Sequence, residues 1–376
     1  GIRKLEPGCS LVLEDGKPRE IVSMAFVHRP AVAPHVPMAP DVATNAHAAE
    51  GRLVFLVLDD VHTLGDRSAG VRALARRIVE RLAPDDRVAV LWLSLDSEGA
   101  REFTTNHAAV LAAIDAFQAT STRIARRNPE VIGLPLFTDP DDMPGFAAGG
   151  AVNLYEENAQ LARTDVKRTF DRVRPFNLVT DVANYLVSVP GQRKALVYIG
   201  QGPPGVLIPD PDPAAPESRR LEIEVIRAMT AARRGNVAVY ALNPSSTDAR
   251  AYEGLPVGES PLPLETLATR PGDAMATFSV ATGGLGFAGP RAVAGIDRLL
   301  ADTSSYYLLA YRAEPPTKGA NFLSAIGLSP WSGFRSIEVR TTRPGVTIRA
   351  RKGYWAADIE HADAPATEAA ARDDVT

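Results

Sequence analysis

The sequence predicts an α/β protein: a doubly wound, mostly parallel sheet, Rossmann-like in outline, with an accessory β module assembled from the two ends of the chain. Two observations carry this. Between residues 52 and 312, apolar runs of strand length alternate with segments of helical period. Short connections and right-handed crossovers then give a parallel sheet with helices on both faces. Near the carboxyl end, polar and apolar residues instead alternate singly, as in antiparallel strands with one solvated face, and short strands open the chain. A chain of 376 residues is long enough to bury a full core.

The elements follow in order. "CSLVLED", the turn "GK" and "REIVSMAFVHR" predict short strands within residues 1–30. Residues 31–51 are rich in Pro and Ala without a period and read as an extended linker. "RLVFLVLDD", Arg52 to Asp60, is a continuous apolar run, as expected of a central strand covered on both faces. In "SAGVRALARRIVERL", Val71, Leu74, Ile78 and Leu82 fall at spacings of three and four, so this is an amphipathic helix. "RVAVLWLSL" is a second buried strand, and "NHAAVLAAIDAF" a helix with Asn106 as its N-cap.

Residues 118–155 interrupt the rhythm and predict a surface insertion. A polar helix over about 154–172 leads to a helix in "NLVTDVANYLVSV", and "ALVYIGQG" is the next strand. After a proline-rich loop come the helix "SRRLEIEVIRAMTAARRG" and the strand "NVAVYALNP". Then follow a helix over "LETLATRPGDAMATFSVATGG", interrupted at Pro271, the helix "PRAVAGIDRLLADT" and the strand "SYYLLAYRA". Within residues 313–356, "FRSIEVRTT", the turn "RPG" and "VTIRARKGYW" predict a β-hairpin. The Ala- and acid-rich residues 357–376 have no apolar face and predict a disordered tail.

Composition excludes several functions. Lys and Arg number 41 against 45 Asp and Glu, a net charge of −4, which gives no footprint for nucleic acid. Cys9 is the single cysteine, so neither an intrachain disulfide nor a cysteine-based zinc site can form. No apolar window is long enough for a membrane span, and the first residues lack the apolar core of a signal peptide. "GLGFAG", Gly284 to Gly289, matches G-x-G-x-x-G in form only, because it follows a helix end where a dinucleotide site needs a strand. The chain has no P-loop and no G-x-S-x-G, and its histidines are scattered.

What remains are the carboxyl ends of the sheet strands, where open α/β sheets place ligands. Three such ends are "DDVHT" (Asp59 to Thr63), "SLDSEG" (Ser94 to Gly99) and "GQGPP" (Gly200 to Pro204). They nominate Asp59, Asp60, His62, Thr63, Asp96 and Gln201 as a binding rim. A second reading makes His62, with Asp59 or Asp60, the acid–base pair of a hydrolase-type enzyme.

The ordered set "LVLEDGKPREIVSMAFV", "RLVFLVLDDVHT", "LVSVPGQRKALVYIGQGPPG", "VATGGLGF", "DTSSYYLLAY" and "FRSIEVRTTRPGVTIRARKGYW" resembles the VWFA-related proteins of the acidobacterial type, which contain a von Willebrand factor A domain. The likeness spans roughly residues 11 to 356 and makes residues 52–312 the A-like domain. It implies an exported, secreted or periplasmic protein that binds a protein partner without catalysis, in a chain that begins after a removed signal peptide and with a shortened lead-in. Metal-binding A domains carry D-x-S-x-S, a loop Thr and a later Asp, which supply oxygen ligands to Mg²⁺. Here Asp59 and Thr63 match, but Val61 stands at the middle Ser and Gln201 at the later Asp. The loop Thr falls near Asn177, with Thr180 expected inside a helix. The resemblance therefore implies a degenerate metal site and no cofactor. A metal-dependent adhesion module holding Mg²⁺ at Asp59 is the alternative.

Overall fold

The computed structural model describes residues 10–28, 51–94, 102–120, 170–188, 194–205, 207, 216–244, 272–313, 334–344 and 348–355. Nearly all of the expected linker and insertion, the polar helix up to residue 169, the tail and Asp96 lie outside the described residues.

The core is a five-stranded, all-parallel sheet flanked by helices, compatible with a Rossmann-like fold. Its strands are β4 (Leu53–Leu58), β5 (Arg87–Trp92), β6 (Lys194–Ile199), β8 (Val237–Asn243) and β10 (Gly286–Ala288), in the spatial order β10-β8-β6-β4-β5; the two-residue strands β7 (Pro204–Gly205) and β9 (Gly272–Asp273) pair antiparallel apart from it. Every residue of β4 is buried, as its unbroken apolar run requires. Val54, Leu56 and Leu58 face one side, with Val71 and Ile78 of α1 (Ser68–Val79), Val110 and Ile114 of α2 (His107–Asp115) and Ile296 of α6 (Arg291–Ser304). Phe55 and Val57 face the other, with Phe176 of α3 (170–185), Val225 of α4 (Pro216–Arg234) and Phe278 of α5 (Ala274–Ala281). Truncating a side chain such as Leu56 here would cost about 2–5 kcal/mol. Beyond β5, Thr104 pairs antiparallel with Val88 through a single bridge.

The Asn106 side chain accepts from the Ala109 amide at 3.2 Å, the expected N-cap. "GLGFAG" contributes β10, a strand too short and glycine-rich to be read from the sequence. Gly284 sits before it because an added Cβ would lie 1.8 Å from the Val239 carbonyl oxygen.

The accessory module differs from the expected hairpin. β12 (Phe334–Thr341) pairs with β1 (Ser10–Glu14) along all five residues of β1, and with β13 (Gly353–Trp355) only over its first three. β2 (Lys17–Arg19) and β3 (Ile21–His28) are separated only by Glu20; β2 pairs with β1, and β3 with β11 (Ser305–Tyr311). The residues before β13 are diverted from the ladder by charge. Arg349 pairs with Asp302 at the end of α6, and Arg351 donates to the carbonyls of Ala232 and Val237. Tyr354 then donates its hydroxyl to Glu14, a fully buried carboxylate whose other oxygen lies 2.8 Å from Arg19 Nε. Burial and the Glu14 carboxylate push the Tyr354 phenol far up, so it stays a donor.

Val237 begins β8, and Ala232 and Asp302 end their helices, so this strap lies at the amino-terminal edge of the parallel sheet. The buried pair Arg52–Asp86, at 2.8 Å, closes the same edge. There too the buried Lys194 ammonium donates to the Leu186 and Gly235 carbonyls at 2.7 and 2.9 Å. The carboxyl-terminal edge is left to other chemistry. Among the described residues no helix is long and apolar enough to cross a membrane.

Tyr354→Phe leaves a buried Glu14 oxygen short of a donor. Urea unfolding of this variant is expected to show a loss of about 1–3 kcal/mol.

Candidate functional site

The chain leaves β4 for β5 on one side and returns as β6 on the other. Its connections also part: β4 leads to α1 on one face of the sheet, β6 to α4 on the opposite face. The crevice between β4 and β6 is thus the topological switch point, the place where open α/β sheets bind ligands. Asp59 stands at its floor, its amide bonded to the Ile199 carbonyl at 3.0 Å.

Asp59 is saturated with donors. Its Oδ1 accepts from the amides of Val61 (3.2 Å) and His62 (2.8 Å) and lies 3.1 Å from His62 Nδ1. Its Oδ2 accepts from the Gly202 amide at 2.9 Å. With the Tyr198 hydroxyl, the chain's own donors engage both oxygens. The strand-end turn forms because the Asp side chain can bond backbone amides two and three residues on.

His62 faces two acceptors. Nδ1 points at the Asp59 carboxylate and Nε2 at the backbone carbonyl of Asp171 in α3, 2.9 Å away. Neither oxygen can donate. A neutral imidazole has one N–H and would set a bare nitrogen against one of these oxygens, so the geometry calls for the doubly protonated imidazolium. Burial opposes the charge on both partners, yet each holds the other ionised. Coulombic attraction and hydrogen bonding to Asp59 raise His62 above 6.5, with the Asp171 carbonyl and charge adding to this. Attraction to His62, its two hydrogen bonds and the Tyr198 hydroxyl hold Asp59 below 3.8.

The neighbours complete the closure. Thr63 Oγ1 accepts from the Gln201 amide at 3.1 Å, and Gln201 Oε1 accepts from the Leu64 amide at 3.0 Å. Asp60 turns away to accept from the Ser94 amide at 2.9 Å, while its carbonyl takes the Thr120 amide and hydroxyl, both at 2.8 Å. Val61 packs on the apolar cluster below the sheet. Gly200 is required by close approach: an added Cβ would lie 2.3 Å from Asp59 Cβ and 2.6 Å from Thr63 Oγ1.

Five of the six nominated residues therefore meet at one strand end, but not as an open rim. Asp59 and Thr63 are 0% exposed, Asp60 3%, Gln201 6% and His62 8%, so a partner cannot grip these side chains directly. Gly200 and Gly202 were visible beforehand as a glycine-rich loop. Asp171 was not, because its carbonyl acts from a helix 109 residues away and any residue type supplies one.

The residues fit a divalent cation poorly. Both Asp59 oxygens already accept from the chain, Thr63 is engaged by Gln201, Val61 has no ligand atom, and the His62 ring stands against the Asp59 carboxylate. Asn177 and Thr180 are both helical, with the Thr180 hydroxyl turned back to the Phe176 carbonyl at 3.0 Å. Among the described residues no three His, Cys, Asp or Glu gather as metal ligands. No protein-family model and no curated protein matches the chain.

Two outcomes follow. Gly200→Ala forces its neighbours apart and is expected to cost about 2 kcal/mol or more in urea unfolding. The buried pair also sets a pH window. His62, raised, stabilises the fold below pH 6.5 and loses this as pH climbs through its folded pKa; Asp59, lowered, stabilises above 3.8 and loses this as pH falls. Stability measured against pH should peak between these values, and His62→Gln should flatten the alkaline side.

Proposed function

We infer that the chain is a non-catalytic, von Willebrand A-like binding module of an exported bacterial protein, which engages a protein partner at the carboxyl edge of its sheet without a metal bridge. The observation that carries this reading is the switch-point site itself, built in the A-domain position after the first core strand but closed by its own Asp59–His62 pair. The interior place of β4, between β6 and β5, and the helices on both faces of a parallel sheet support the same assignment.

Recognition then falls to what stands around the closed site. Phe170, next to Asp171 in the chain, is 47% exposed, with the Arg220 guanidinium 4.5 Å from its ring centroid. Aromatic and Arg side chains of this kind are the usual anchors of protein interfaces.

The hydrolase reading meets an obstacle in the ring of His62. A general base needs one nitrogen free toward the substrate or nucleophile. Here Nδ1 is held by Asp59 and Nε2 by the Asp171 carbonyl.

Capture from the source organism's envelope fraction tests the reading. The same partner should be retained in Mg²⁺ and in EDTA, and Phe170→Ala with Arg220→Ala should weaken it about tenfold or more. Retention in Mg²⁺ alone would favour a metal-dependent adhesion module. Hydrolysis of ester or phosphate substrates that stops in His62→Ala would favour the enzyme.

A further inference from the structure

A binding role does not by itself require a buried histidine between two acceptors. We propose that His62 is the resident cation of this strand end, supplying from within the chain the positive charge that a bound ion would bring to Asp59, and clamping α3 to the end of β4 as it does so. Three observations carry this beyond the proposed binding role. The ring lies against the one carboxylate at the switch point, at 3.1 Å, so the charge is placed where that site needs it. Its far nitrogen reaches the Asp171 carbonyl at 2.9 Å, so the same group spans from strand to helix. The hydroxyl and carboxylate that an ion would use are absent at Val61 and Gln201, and those side chains serve packing and the Leu64 amide instead.

The charged and titratable groups facing the pair are Asp171 from α3 and the Tyr198 hydroxyl from β6. Neither brings a second positive charge. His62 balances Asp59 at this strand end, and removing it strands a buried anion.

Thermal unfolding of the full chain tests this without reference to any partner, so a failed capture experiment would leave it standing. Wild-type protein should melt at the same temperature in EDTA and in excess Mg²⁺ or Mn²⁺. His62→Gln should lower Tm by about 6–10 °C, and adding Asp59→Asn should recover more than half of that loss, because the stranded charge is gone. A double variant that loses the sum of the two single losses would overturn the proposal, as would a wild-type Tm raised by Mn²⁺ only when Asp59 is present. If His62→Gln does not fold, a folded double variant supports the proposal and an unfolded one contradicts it.

Discussion

A carboxylate buried at the carboxyl end of a parallel sheet has to be neutralised and fully hydrogen-bonded, or it costs the fold several kcal/mol. Asp59 meets this requirement from three directions: the turn that follows its own strand, the Gly202 amide after β6, and the ring of His62. The other features of the edge follow from these bonds. Gly200 must be glycine to let β6 pass the Asp59 side chain. Gln201 stitches the two strand ends together, its amide bonded to Thr63 and its side-chain oxygen to the Leu64 amide. Helix α3 is held to β4 because the second nitrogen of His62 needs an acceptor and finds Asp171.

The two edges of the sheet divide the labour. At the amino-terminal edge, Arg52–Asp86 and Lys194 tie core segments to one another, while Arg349 and Arg351 join the β module to the α/β core. The carboxyl edge carries the switch-point crevice and the Asp59–His62 pair. The proposed partner surface near Phe170 and Arg220 lies beside that crevice, in reach of α3, the helix that His62 anchors.

Much of the fold was legible because burial on both faces leaves a plain mark: the unbroken runs of β4, β6 and β8 could hardly be anything else. The place of the site was legible too, since acids after a buried strand point to a strand end. Its closure was not. An Asp–His–Thr cluster reads as an open rim until the backbone donors are seen, and backbone donors carry no residue signature. The C-terminal hairpin was legible in part: its antiparallel pairing is present between β12 and β13, but only over three residues, while the Arg349 and Arg351 side chains before it reach a carboxylate and two carbonyls of the core. Val61, at the position of the middle Ser, is partly buried and packs against the core.

The account turns on the charge of one ring. Nuclear magnetic resonance of the His62 imidazole nitrogens at neutral pH observes it directly. Both nitrogens are predicted to carry protons, with Nδ1–H and Nε2–H protected from exchange by Asp59 and the Asp171 carbonyl. A neutral ring with one bare nitrogen would contradict the account, because Asp59 would then lack the internal cation on which the closed site depends.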